Sequence, residues 1–343
     1  MTNSATAPAG QSRAGQARAG EAKAGAGSAA AGSAAAGSAA AGSAAAGSAA
    51  ENRAVDGRAA EARAGESRAA QPRALIVTIY GLYARESDGW LSVASLIRLM
   101  SELGVDEPSV RSSISRLKQR GLLVQRRLDG AAGYGLSDSG RDILAEGDRR
   151  IFGRPRARLA GGWLLAVFSV PEAERDRRHT LRSRLAWLGF GTVAAGIWIA
   201  PAHLAEETAE VLERYGLSGY VDLFRADYLA FGDVHEQAAR WWDLDRLEQL
   251  YQAFLDLCEP AVTRWQARSG PVGPAAAAEA FADYATILTA WRRLPFLDPG
   301  LPRELLPADW HGERAARVFA GLRDRLAGPA RAHVLAVTGQ APA

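Results

Sequence analysis

The chain has 343 residues, 48% of them hydrophobic, and a formal net charge of +3. That length and apolar content can supply cores for two or three domains, and so mild a charge means that any nucleic-acid surface must come from local clustering. A single cysteine, Cys258, excludes an intramolecular disulfide framework and the cysteine-rich zinc sites. No apolar run reaches the length of a membrane span, and the N-terminus lacks the charged and apolar regions of a signal peptide, so a cytoplasmic protein without membrane contact is expected.

Residues 1–72 are built from Ala, Gly, Ser and scattered charge, with a five-residue period running from "RAGQA" and "RAGEA" into repeated "GSAAA". A glycine costs a helix about 1 kcal/mol relative to alanine, and the repeat has no apolar stripe to pack, so a disordered tail is expected. Its seven basic and five acidic residues are too evenly matched for a strong DNA-clasping arm.

Composition changes at Arg73. The stretch "RALIVTIYGLYAR" places Leu75, Ile76, Ile79, Tyr80 and Tyr83 at helical spacing. A second helix is predicted over Val93 to Leu103, with Val93, Leu96, Ile97 and Met100 as its apolar stripe, and Gly104 makes a turn. A third helix opens with Asp106 as N-cap and Pro108 in the first turn, and closes at Gly121. Next come a strand "LLVQRRL", a turn "DGAAG" and a short return strand "YGL", then a helix capped by Ser137 with Ile143 and Leu144 pointing inward. Helix, helix, turn, helix and hairpin over residues 73–153 make a winged helix-turn-helix.

Between Val110 and Leu128 lie six basic residues (Arg111, Arg116, Lys118, Arg120, Arg126 and Arg127) and no acidic one, whereas the rest of this domain is net negative. Val110, Ile114 and Leu117 recur at i, i+4 and i+7, so the third helix buries that face and presents small polar and cationic side chains on the other. Small hydroxyls beside arginines suit a helix entering a major groove, where base edges and phosphates must be hydrogen-bonded and bulk is excluded. The candidate DNA-binding residues are Ser109, Arg111, Ser112, Ser115, Arg116, Lys118 and Gln119 on the helix, with Arg126 and Arg127 on the hairpin holding phosphate. The opposing reading is a solvated charged helix.

Residues 154–232 read as a strand over Trp163 to Val170, a helix over Pro171 to Leu188, a strand over Thr192 to Ala200, a helix over Ala205 to Tyr215 and a strand over Tyr220 to Arg225, a ferredoxin-like α/β unit. Residues 233–334 are predicted helical, with Leu247, Leu250, Tyr251, Phe254 and Leu257 as core and Cys258 as a buried thiol, and 335–343 as a tail. In "WRRLPFLDPGLPRELLP", Arg292 and Arg293 beside a rigid loop could hold a phosphate-bearing ligand, or else bond loop carbonyls or Asp298. The fold class is therefore α+β multidomain.

Four stretches carry a family resemblance. They are "GWLSVASLIRLMSELGVDEPSVRSSISRLKQRGLL", "GGWLLAVFSVPEAERDRRHTLRSRLAWLGFGTVAAGIWIAP", and the helical "RWWDLDRLEQLYQAFLDL" and "AFADYATILTAWRRLPFLDPGLPRELLPADWHGERAARVFAGLRDRL". Together they resemble the PaaX family of phenylacetate-catabolism repressors, from about Arg73 to Val334. The resemblance implies a homodimer on a palindromic operator in double-stranded DNA, released by an aryl-acyl-CoA effector such as phenylacetyl-CoA. It implies for the central segment the fold of the small CRISPR-adaptation nucleases, which bind metal through an Asp near the end of the first strand. Here Ser169 or its neighbours stand there, so magnesium lacks its preferred oxygen ligand and nuclease activity is not expected.

Histidines at 179, 203, 235, 311 and 333 lack metal-ligand spacing, and no GxSxG elbow, P-loop or dinucleotide fingerprint occurs. No enzyme activity, cofactor or metal site is expected. The competing readings are a metal-dependent nucleic-acid-processing enzyme of the ferredoxin-like class and a winged-helix scaffold for protein partners.

Overall fold

The computed structural model describes residues 71–85, 88–153, 156–229 and 231–339. The expected disordered tail lies outside these residues except for 71 and 72, which already belong to the first helix. That helix, α1, covers 71–79 and continues as a π-helical turn over Tyr80–Ala84, burying Leu75, Ile76, Ile79, Tyr80 and Tyr83. A strand too short to show a period, β1 (Trp90–Ser92), comes next. The Ser92 hydroxyl ends it and accepts the Ser95 N–H at 3.0 Å, capping α2 (Val93–Glu102).

Asp106 caps α3 (Glu107–Gln119) by accepting the Ser109 N–H at 2.8 Å, and Gly121 at φ 72° stops it in the left-handed region. Leu96, Leu99 and Met100 of α2 share a cluster with Val110, Ile114 and Leu117 of α3. The strands β2 (Leu123–Leu128) and β3 (Ala131–Leu136) form the hairpin. Its turn is shorter than expected: Asp129 and Gly130, at φ 49° and 80°, suffice as a two-residue I′ turn, so "AAG" belongs to the return strand. β3 sits between β1 and β2, all antiparallel. A Cβ on Gly133 would fall 2.4 Å from the Trp90 ring, so glycine is what lets that indole lie against the strand.

The Ser137 hydroxyl accepts the Gly140 N–H at 2.9 Å and opens α4 (Asp138–Gly153). Ile143, expected to point inward, is 50% exposed, because its stripe of α4 lines an open recess rather than the core.

The central segment runs β4 (Trp163–Phe168), α5 (Arg175–Leu188), β5 (Gly191–Ala194), β6 (Ile197–Pro201), α6 (Ala205–Arg214) and β7 (Val221–Ala226). Its sheet is antiparallel in the order β5-β6-β4-β7. The single strand expected over Thr192 to Ala200 is a hairpin. Gly196, at φ 78°, turns it, and a side chain there would meet the Phe168 carbonyl at 2.8 Å. Leu181, Leu185 and Leu188 of α5 and Val211 and Leu212 of α6 cover one sheet face through Leu164, Ala166 and Trp198.

The other face receives the helical C-terminal region: α7 (Val234–Trp241), α8 (Leu244–Ala267), α9 (Pro274–Trp291), the short α10 (Leu294–Leu297) and α11 (His311–Thr338). Trp163 of β4 lies edge-on to Trp241 and stacked with Trp242, and the Trp242 indole donates to the Gly189 carbonyl at 3.0 Å. α11 packs along α9 and reaches α2, where His333 meets Glu102 at 2.6 Å. α11 persists to Thr338 before a left-handed Gly339, so the tail expected from 335 begins later. Leu247, Tyr251 and Phe254 are buried on α8 as predicted, whereas Leu257 is 44% exposed. Burial pushes the Cys258 thiol up to about 12, in keeping with a structural role. Among the described residues no helix is long and apolar enough to cross a membrane.

Candidate nucleic-acid interface

The pattern that makes α3 a helix also sorts its side chains. With Val110, Ser113, Ile114 and Leu117 buried, Arg111, Ser115 and Lys118 form one exposed stripe and Ser112, Arg116 and Gln119 an adjacent one. Arg120 extends this cationic surface beyond the helix end. It belongs to the basic cluster but not to the candidate site residues, and the cluster is the signal that could have added it. Arg116, Lys118, Arg120 and Arg127 have no ion-pair partner among the described residues. Arg111 is held by Glu107 one turn earlier, at 2.7 Å, in a solvent-exposed pair that contributes little and that a phosphate could replace.

Ser109 is placed differently. Its N–H and hydroxyl both bond the Asp106 carboxylate, at 2.8 and 2.9 Å, and hold that carboxyl below its ordinary range. The hydroxyl is committed to the cap, so Ser109 positions the helix start.

Arg126 and Arg127, adjacent on β2, point to opposite faces of the hairpin. Arg127 is exposed. Arg126 runs back across Gly135, whose Cβ would lie 3.1 Å from the Arg126 side chain, and donates to Asp88 at 2.8 Å. Asp88 sits at φ 53° in the turn before β1, and Arg126, then Arg141, keep its carboxyl below the usual range. The clamp has one sequence trace, the Asp-Gly turn dipeptide at 88–89.

Arg292 and Arg293 lie outside this surface, at the junction of α9 and α10. Arg292 is half-buried and donates to the Ala74 carbonyl of α1 at 3.2 Å. Burial and the neighbouring Arg293 charge lower it to about 10. Arg293 is exposed. Asp298, offered by the sequence as a partner for either, instead accepts from the Tyr251 hydroxyl at 2.7 Å, the Gly300 N–H at 2.7 Å and Arg156 at 3.3 Å. Both arginines border a recess of about 440 Å³ shared with α1 and α4.

Three family models match this chain in succession: "PaaX-like protein" over residues 71–140, "PaaX protein central Cas2-like domain" over 156–238, and "PaaX-like protein C-terminal domain" over 242–336. The chain belongs to the PaaX family. This PaaX-family chain is 26% identical over 264 residues to the transcriptional repressor PaaX of Escherichia coli (strain K12), across 76% of this chain and 82% of that one. It is also similar to the solved structure of uncharacterized protein Rv0674 from Mycobacterium tuberculosis, with 22% identity and a TM-score of 0.48 over 74% of this chain and 99% of the other. The first matched segment holds α2, α3 and the hairpin, and the last holds Arg292 and Arg293.

Proposed function

We propose that this protein is a DNA-binding transcription repressor. Residues 73–153 serve as its winged helix-turn-helix, 154–232 as a ferredoxin-like unit and 233–334 as a helical regulatory domain. The observation that carries this reading is the exposed face of α3, where Arg111, Arg116 and Lys118 stand beside Ser112, Ser115 and Gln119 with no acidic side chain from Val110 to Leu128. Such a face supplies phosphate charge and base-edge hydrogen bonds together. The relationship to a repressor supports it.

In this reading α3 enters the major groove, Arg127 holds phosphate beside it and Arg126 joins when released from Asp88. One such helix makes few base contacts, so the chain acts as a homodimer whose two copies of α3 meet two half-sites of a palindrome. The regulated operon handles aromatic acids of the phenylacetate type, the effector is an aryl-acyl-CoA such as phenylacetyl-CoA, and the protein works in the cytoplasm without catalysing a reaction. Arg292 and Arg293 are the effector-binding residues.

A gel shift with the DNA upstream of its own gene, with and without magnesium and with a panel of acyl-CoA thioesters, tests this. Retarded intact DNA released by one thioester is expected. Cleavage would establish the nuclease alternative, and no shift with any fragment would leave the scaffold.

A further inference from the structure

The recess bordered by Arg292 and Arg293 has walls from three parts of the chain: α1 and α4, Trp187 at the end of α5, and the α9–α10 corner. Two glycines line it. Gly81 lies in the π-helical turn of α1 and Gly147 in the middle of α4, and neither has a positive φ that would require glycine. A helix-interior glycine costs about 1 kcal/mol relative to alanine, and a π turn marks functional sites more often than ordinary helix does. At both positions a Cβ would meet only ordinary contacts, the nearest being Leu144 at 3.6 Å for Gly81 and Ile151 at 3.7 Å for Gly147. Neither backbone strain nor close packing explains them. What they leave is space.

The recess also accounts for exposed apolar side chains. Ile143, Phe152 and Leu297, at 50%, 40% and 52% exposure, all line it. Its charged groups are Arg85, Asp148, Arg292 and Arg293. Arg85 and Asp148 pair with each other across α1 and α4, which leaves two arginines with no carboxylate partner among the described residues. A volume of about 440 Å³, mostly apolar walls and two uncompensated guanidiniums at one end are the attributes of a small-molecule site.

We infer that this recess binds an organic anion whose flat ring or short acyl chain sits over Gly81 and Gly147, with its anionic or carbonyl oxygen end at Arg292 and Arg293. The inference rests on the regulator reading and gives the effector its place. The ring enters the recess; a free aryl acid would present a carboxylate to the two arginines and its thioester a neutral carbonyl, with the rest of the thioester outside beside the exposed Arg293. Because one wall is α1 and α4 and the other is α9 and α10, an occupant touches the DNA-binding module and the C-terminal region together. That gives it differential contact with any two arrangements of these parts, which a ligand needs in order to shift their populations.

The test is calorimetric titration of the full chain with phenylacetate, phenylacetyl-CoA and free coenzyme A, beside the gel shift. An aryl-bearing probe is expected to bind and coenzyme A alone not to. Gly147→Leu, which fills the recess, should weaken binding at least about 100-fold, and Gly147→Ala should weaken it much less. Arg293→Gln, a surface change that leaves folding intact, should weaken it by about 10-fold. Both Gly147→Leu and Arg293→Gln should still retard DNA, and release should need correspondingly more probe in each. Undiminished binding in both variants overturns the site while leaving an effector elsewhere. Absence of binding by any aryl probe to the wild-type chain overturns site and effector together. Failure of the wild-type chain to shift DNA while it binds the probe overturns the regulator reading and leaves the site standing.

Discussion

α3 and α4 are close in sequence, similar in charge density and opposite in how they use it. On α3 the charges face outward, and the one ionic contact within the helix, Arg111 to Glu107, is exposed. On α4 four of the seven charged side chains are committed to another element: Arg141 to Asp88, Glu146 to Arg214 of α6, Asp148 to Arg85 of α1, and Arg150 to Glu207 of α6. Under the proposed function the difference separates two tasks: α3 keeps its cations available for phosphate, whereas α4 ties two of its charges to its own domain and two, Glu146 and Arg150, to the central segment.

The joint with the central segment is the place where one substitution should cost most. Arg150 is 4% exposed and donates to the Trp187 carbonyl and, at 3.0 Å, to the Leu188 carbonyl, satisfying the C-terminal end of α5. It lies 3.1 Å from Glu207 and stacks 4.4 Å from the Trp187 ring. Arg150→Ala strands a carboxylate and two carbonyls, so a loss of about 3–5 kcal/mol in denaturant unfolding is expected. Arg150→Lys should recover only part of it, since an ammonium cannot stack and fork at once. An unchanged midpoint in both variants would remove α4 as the joint.

α3 should behave in the reverse way. Arg111→Glu sets two carboxylates one turn apart on an exposed face, which changes stability by less than about 0.5 kcal/mol. Yet it places negative charge where a base or phosphate must sit, and operator affinity should fall by roughly 100-fold or more in a gel shift. If unfolding and binding suffer together, the division between the two helices is wrong.

Legibility in the sequence divides along the same line. α3 with its Asp106 cap, the Gly121 stop and the alternating hairpin are specified by residues within a turn or two of one another, so period and capping reveal them. β1 escapes because its three residues are fixed by partners more than forty positions away, Gly133 and Gly135 on β3. The recess escapes for the same reason, being assembled from residues near 81, 147, 187 and 293. Ile143 reads as core because helical periodicity reports an apolar stripe and not what faces it. Arg126 and Arg127 read alike because what separates them, the Asp88 partner of Arg126, lies 38 positions away in the sequence.

That last distinction sharpens the comparison within the hairpin. Arg127 has no ion-pair partner among the described residues, so Arg127→Ala should weaken binding to all duplexes by a similar several-fold factor. It should also reduce the slope of log affinity against log salt by about one. Arg126→Ala should do less, since its guanidinium is already engaged by Asp88 at 2.8 Å.

Asp88→Asn reverses the sign. It removes the counter-charge and leaves an ion pair as a single-charge hydrogen bond to a neutral amide, so Arg126 can swing toward phosphate. Affinity for any duplex should rise by about two- to five-fold, with a salt slope steeper by up to about one. The wild-type protein offers the same change through pH. Arg126 holds the Asp88 carboxyl below its ordinary range, so the pair is intact above that range and is lost only as pH falls through the depressed value. Between pH 5 and 8 the clamp is therefore closed, and the wild-type and Asp88→Asn salt slopes should differ by a constant amount across that window. A difference that vanishes at one end would mean that another titrating group, and not Asp88, restrains the wing.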